Sequence, residues 1–352
     1  MTEKQLEKKI LDGGRTLLFS NEDLKRLIIP LVIDQVLART VGMADTMMIS
    51  SVGEAICGVS LVDMINMLFN AVFAAVATGG AVIASQYLGH RDRKKACEAS
   101  SQLMVVTAVC ALLFTVLSLA ARKPLLSLLF GQIDADVMDA ALTYLTVSAL
   151  SFPFLASFNS SSALFRAMND SRTPTVVSLG MNVMNLIGNS ILIFGMKWGV
   201  AGAAISTLLS RVMAAAVMFA LSFNRERQLY VRPDQMTRFQ PTLIGQILYI
   251  GIPSGIENGI FELGRIVVVS MISTFGTMQI AANAVANNLD GLGVLAGAAM
   301  NLAILTVVGR CVGARDNDQV RYYTRKLLKI EYAMMAVVNV VLLAALPLIL
   351  NL

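Results

Sequence analysis

Charge is what this sequence has least of. Asp, Glu, Lys and Arg make up 14% of its 352 residues, against about a quarter in a soluble domain. So few charges cannot cover a water-soluble body of this size, which excludes disorder, a secreted disulfide scaffold and a nucleic-acid-binding domain. Histidine is nearly missing: His90 stands alone, among Arg91, Arg93 and Lys94. Zinc chemistry and Ser-His or Cys-His catalysis lack their ligands and bases, so no enzyme and no cofactor are expected. The cysteines Cys57, Cys97, Cys110 and Cys311 show no CxxC spacing and read as free thiols. The first 26 residues mix Lys and Glu and hold no apolar run, which excludes a cleaved signal.

What the chain has in abundance is apolar length. Hydrophobic residues make up 56% and the mean hydropathy is +0.69. Stretches long enough for a roughly 30 Å hydrocarbon core fall at 27–50, 59–88, 102–121, 137–158, 175–195, 200–222, 243–274, 281–309 and 328–350. The fold class expected is therefore an all-α polytopic membrane protein with nine transmembrane helices. Of the 28 Lys and Arg, 22 fall in the N-tail and every second loop. The positive-inside rule then places the N-terminus in the cytoplasm of a multi-pass cell-membrane protein.

An internal repeat organises the spans. A shift of 223 residues lays Ile29-Pro30 on Ile252-Pro253, Asp34 on Glu257 and Gly53 on Gly276. One more residue of shift lays Gly89-His90-Arg91-Asp92 on Gly313-Ala314-Arg315-Asp316. The first three helices thus recur as the last three in the same orientation, as parallel repeats with a site expected between halves. The expected domains are a cytoplasmic tail (1–26), a six-helix lobe (27–222), a cytoplasmic linker (223–242) and a lobe of three helices (243–352). Nothing in the second half answers to residues 129–222, and a full duplication would run to about 446 residues. The second lobe is therefore expected to be incomplete, as in a C-terminally truncated chain.

Several motifs in order resemble the multidrug and toxic compound extrusion (MATE) family of efflux transporters. Pro30 with Gly42-Met43-Ala44-Asp45-Thr46 resembles its first helix, and Gln86-Tyr87-Leu88-Gly89 with the basic run Arg91-Asp92-Arg93-Lys94 its second loop. Phe165-Arg166-Ala167-Met168-Asn169-Asp170-Ser171-Arg172-Thr173-Pro174 is similar to an Arg-Gly-x-Gly-Asp-x-Arg-x-Pro loop, with Ala167 and Asn169 in place of the glycines. Trp198-Gly199-Val200-Ala201-Gly202 resembles the start of its sixth helix. The resemblance implies two helical lobes in a V and an antiporter that exports small organic cations in exchange for H+ or Na+. The remaining alternatives are an inactive truncated fragment and a lipid-linked precursor flippase. Nothing in the sequence speaks to oligomeric state.

An intramembrane carboxylate costs about 2.5–3.5 kcal/mol on insertion scales, so each is a candidate for cation or substrate binding. Asp34 and Asp45 are 11 residues apart on the first helix, within about 20° of one face; the alternative is that Arg39 neutralises one of them. The seventh helix carries Glu257, Glu262 and Arg265, with Glu262 and Arg265 spaced for an ion pair. Asn182, Asn185 and Asn189 form a stripe on the fifth helix, read equally as interhelical glue. The resemblance implies a cation-linked role for Asn185, and an acid in one subfamily where this chain has Asn189. A sodium ion at Asp45 or Glu257 is the one metal considered. Asp63 lies near a helix end and is expected to be solvated. Phe69, Phe73, Phe152, Phe154 and Phe158 line an adaptable apolar wall or pack against lipid.

Overall fold

The computed structural model describes residues 3–50, 55–130, 135–273, 275 and 277–350. Among these residues the structure is helical, without strands. A short helix α1 (Glu3–Asp12) precedes α2 (Asn21–Ser50), α3 (Ala55–Gly89), α4 (Arg93–Ala120), α5 (Arg122–Phe130), α6 (Ala135–Ala167) and α7 (Arg172–Asn189). A π-helical turn, Ser190–Gly195, extends α7. Then come α8 (Gly199–Ser222), the single turn α9 (Pro233–Met236), α10 (Pro241–Ser273), α11 (Thr277–Gly293), α12 (Leu295–Gly313) and α13 (Asn317–Leu350). Among the described residues, eight helices are long and apolar enough to cross a membrane: α2, α3, α4, α6, α7 with its π turn, α8, α12 and α13. The segment expected as the seventh span is α10, 33 residues long. The repeat match of Gly53 with Gly276 lies outside the described residues.

The stretch expected as one helix over 281–309 is instead two, α11 and α12, meeting at Val294. Gly291 and Gly293 lie just before the break, and glycine has low helix propensity. Asn339 of α13 sits against Gly293 and donates its side-chain amide to the Gly293 carbonyl at 3.5 Å. The corresponding stretch of α3 has no glycine and runs unbroken.

The repeat is visible in the turns. Arg91 and Arg315 both take left-handed backbone conformations, φ 60° and 55°. The aspartate after each accepts from the N–H three residues on: Lys95 to Asp92 and Gln319 to Asp316, both at 3.1 Å. A side-chain oxygen satisfying a free N–H is what starts a helix there. Asn169 repeats the device with φ 68°, followed by Asp170 accepting from the Thr173 N–H at 3.1 Å. Asparagine tolerates this conformation better than most side chains, which explains how it stands where the resembling loop has glycine.

The two repeats meet through small residues. A methyl group added at Gly89 would strike the Arg310 carbonyl, and one at Gly313 the Gln86 carbonyl. Gln86 and Arg310 are themselves related by the 224-residue shift, so α3 and α12 cross where each repeat presents the same surface to the other. Higher on α3, a methyl on Gly79 would lie 2.6 Å from the Ile247 carbonyl of α10. One buried core joins Leu27 and Leu31 of α2 to Ala299, Ala303 and Val307 of α12 and to Tyr322 and Tyr323 of α13. The N-terminal segment is part of this core. Leu6 and Ile10 of α1 are buried against it, and Arg15 bridges Asp316 and Asp318 at 2.9 and 2.8 Å.

Candidate functional site

The candidate site starts at the seam between α2 and α7. These helices run parallel, so contacts recur at a constant offset. Thr175 donates its hydroxyl to the Pro30 carbonyl at 3.1 Å, the Ser178 hydroxyl faces Asp34, and Asn189 donates its side-chain amide to Asp45 Oδ1. Proline leaves its helix short of one N–H and its ring disturbs the preceding turn. The carbonyl this leaves without its helical donor is that of Arg26, four residues back, so the Thr175 bond to the Pro30 carbonyl is an additional tie between the helices. Asp34 and Asp45 therefore do share one face of α2, and it is the face turned to α7.

The asparagine stripe lies on the opposing wall. Asn185 donates to Thr207 Oγ1 of α8 at 3.1 Å and accepts from Asn189 at 3.4 Å. Ser206 donates to the Asn185 carbonyl at 2.8 Å. Asn185 thus ties α7 to α8 and Asn189 ties α7 to the Asp45 carboxylate of α2, so both amides bridge helices. Among the described residues, Asn182 keeps a buried amide nitrogen without a partner, and Asp34 a buried oxygen without one. Arg166, near the end of α6, supplies the positive field on Asp34. With Thr78, Ser85 and Thr306 it lines a cavity of about 20 Å³, room for a single water. Arg39 does not neutralise either aspartate. Its guanidinium lies over Gly291 of α11.

A second layer of polar groups lies behind Asp45. Asp63 and Asn66 of α3, Tyr144, Ser148 and Ser151 of α6, and Arg211 of α8 converge there. Asn66 donates to Asp63 Oδ1 at 3.3 Å and to Ser148 Oγ at 3.4 Å. Arg211 donates to Ser151 Oγ at 2.6 Å, and the Ser151 hydroxyl donates to the Ser148 carbonyl at 2.6 Å. The Tyr144 hydroxyl faces Asp63, and Arg211 stands in the field of Tyr144, Asp63 and Asp45 together. Asp63 is thus inside the bundle, contrary to the expectation that it is solvated. It sits early on α3, but α6 and α8 cover it. Arg211 had a signal in the sequence, as a lone cation in an otherwise apolar span. Tyr144 had none.

The seventh-helix acids lie elsewhere. Glu262 pairs with Arg265 at 4.0 Å, as the i,i+3 spacing suggests. Glu257 is exposed on α10, which packs its glycine face, Gly251 and Gly255, on α3. Neither glutamate joins the cluster around Asp45. The phenylalanines divide as well: Phe69, Phe73 and Phe152 pack with Phe114 at ring distances of 5.0 to 5.9 Å, as the interior of the bundle. Phe154 is exposed.

Outside the membrane-spanning helices, Asp170 accepts from the Thr173 hydroxyl at 2.7 Å and from Arg227 at 2.9 Å. Partial burial raises its pKa, but the bonds from Thr173 and Arg227 outweigh that and hold the carboxyl below its ordinary range. This pair fastens the segment 223–240 beneath the helices. Arg93 adds three bonds to backbone carbonyls of the same segment, at 2.6 to 3.2 Å.

The chain is 29% identical over 294 residues to the uncharacterized transporter YisQ of Bacillus subtilis, a match covering 82% of this chain and 64% of that protein. It is 28% identical over 314 residues to the probable multidrug resistance protein NorM of Thermotoga maritima, covering 85% and 65%. The chain thus spans just under two thirds of the length of these relatives. The fold matches an outward-facing multidrug resistance MATE transporter with a TM-score of 0.81 at 20% identity, over 88% of this chain and 68% of that one. The MatE family profile matches residues 30–191 and 253–352, and the chain belongs to the MatE family, the multidrug and toxic compound extrusion proteins.

Proposed function

We propose that this chain works as a secondary antiporter that moves small organic cations out across the cytoplasmic membrane in exchange for H+ or Na+. Its N-terminus is cytoplasmic and it needs no cofactor. Its working units are 27–222 and 243–352, joined through 223–242 beneath a tail of residues 1–26. One observation carries the reading: two carboxylates on one face of α2, Asp34 and Asp45, are opposed by the amide and hydroxyl stripe of α7. A carboxylate held by amides rather than by a direct ion pair keeps its charge available to an incoming cation. Substrate and coupling ion compete for these acids, and the coupling between them is reciprocal in binding free energy. Glu257 and Glu262 belong to the second unit and serve, on this reading, as a separate cation contact.

The test is ethidium transport in everted vesicles. Transport collapses when the matching gradient is removed, by an uncoupler if protons drive it and by sodium removal if sodium does. Asp45→Asn abolishes it and Asp34→Asn weakens it. Unchanged transport in both variants would show that the first spanning helix is not the cation site.

A further inference from the structure

The layer behind Asp45 has an unusual balance of charges and donors. It holds two carboxylates, Asp45 from α2 and Asp63 from α3, and one fixed cation, Arg211 from α8. Tyr144 of α6 is the other titratable group facing them, and α7 contributes only amides. Arg211 forms a direct ion pair with neither carboxylate among the described residues. Its guanidinium is held instead by the Ser151 hydroxyl, in the field of both acids. Meanwhile two deeply buried amide oxygens, Asn66 Oδ1 and Asn189 Oδ1, have no donor among the described residues, in residues only 7% and 0% exposed. The layer therefore has spare acceptors and spare negative charge for one more cation. Its own cation is held by a hydroxyl and, among the described residues, ion-paired with neither acid.

We infer that Arg211 is a tethered counter-ion that competes with the transported cation for Asp45, and that Asp63 receives Arg211 when the cation binds. This inference rests on Asp45 being the cation site. A guanidinium suits the role because it does not lose its proton inside a protein, so it can only change partners. Asp63 then sets affinity without touching the cation: it is a positioning residue. With Asp63 present, Arg211 can be drawn away from Asp45 and the incoming cation meets an open carboxylate. Without it, Arg211 settles on Asp45 and the incoming cation must displace it. No covalent or redox step is involved.

The test is equilibrium binding of radiolabelled tetraphenylphosphonium to the full chain in nanodiscs, for variants that elute as single monodisperse species. Arg211→Gln tightens binding and Asp63→Asn weakens it, each by about tenfold, within the usual range of site-to-site coupling. In the Arg211→Gln background, Asp63→Asn changes affinity by less than about threefold, because the residue it redirects is gone. A merely structural role predicts weakening in both single variants and a worse double variant, and that outcome overturns the proposal. Equal effects of Asp63→Asn in both backgrounds overturn it as well. If Arg211→Gln does not fold, the test falls to Asp63: Asp63→Asn weakens binding and Asp63→Glu restores it, and no weakening refutes the idea. Asp45→Asn separates the two layers. Wild-type binding in that variant removes the Asp45 assignment itself, whereas lost binding with an additive double variant removes only the role of Arg211.

Discussion

Asn189 reaches Asp45 across the α2–α7 seam at the same sequence offset by which Ser178 reaches Asp34. Both pairs are separated by 11 residues along their own helices, so the two parallel helices stay in register over about three turns. The carboxylates of α2 are thereby aimed at amides and hydroxyls. A hydrogen bond to a charged group contributes about 1.5–3 kcal/mol. Asn189→Ala therefore lowers the apparent affinity for the coupling cation by about tenfold or more, while Asn189→Asp, which adds a charge, strengthens it. Cation titrations of ethidium transport measure both shifts.

Gly89 and Gly313 allow the repeats to touch backbone to backbone. The atoms in the way of a larger residue are main-chain carbonyls, which cannot rotate aside. Gly89→Val and Gly313→Val each destabilise the observed arrangement by about 3 kcal/mol and separate α3 from α12. Cys311, fully buried in the shared core, then becomes reactive. Its rate of modification by N-ethylmaleimide, followed by peptide mass spectrometry, rises in both variants and stays slow in the unaltered chain.

Tyr323 fastens the N-terminal segment by a reciprocal pair of bonds. It donates to the Phe19 carbonyl at 2.7 Å and accepts from the Phe19 N–H at 2.9 Å. Tyr323→Phe leaves both backbone groups buried and unpaired, at a cost of about 1–3 kcal/mol. The segment loosens, and trypsin cleaves after Arg15 sooner than in the unaltered chain.

Asp170 links the loop before α7 to Arg227. Its pKa is lower in the folded chain than in the unfolded one, so its stabilisation is complete above the ordinary carboxylate range and disappears as pH falls through the lowered value. Asp170→Asn lowers the melting temperature at neutral pH, by an amount comparable to losing a helix cap, about 1 kcal/mol. The gap between the variant and the unaltered chain closes as the solution is made acidic. A gap that widened in acid would mean that the carboxyl is not stabilised in its charged form.

Some features follow from local chemistry and were legible in order along the chain. Hydropathy identified the membrane class because a lipid-facing helix must be apolar along its length. The repeat was readable because the turn at Arg91-Asp92 and its copy at Arg315-Asp316 need the same left-handed residue and the same capping carboxylate. The common face of Asp34 and Asp45 followed from helical periodicity alone. Other features depend on which helices become neighbours, and only the tertiary structure decided them. Asp63 turned from a solvated end residue into a half-buried neighbour of Arg211 because α6 and α8 close over it. Arg39 was drawn to the backbone of α11 rather than to the aspartates on its own helix. Glu257 shares the repeat position of Asp34 yet stands exposed, because α10 turns its glycines, not its acids, toward α3. A sequence states which charges lie in the membrane. Which of them meet is set by packing between helices far apart in the chain, and no periodicity within one helix encodes that.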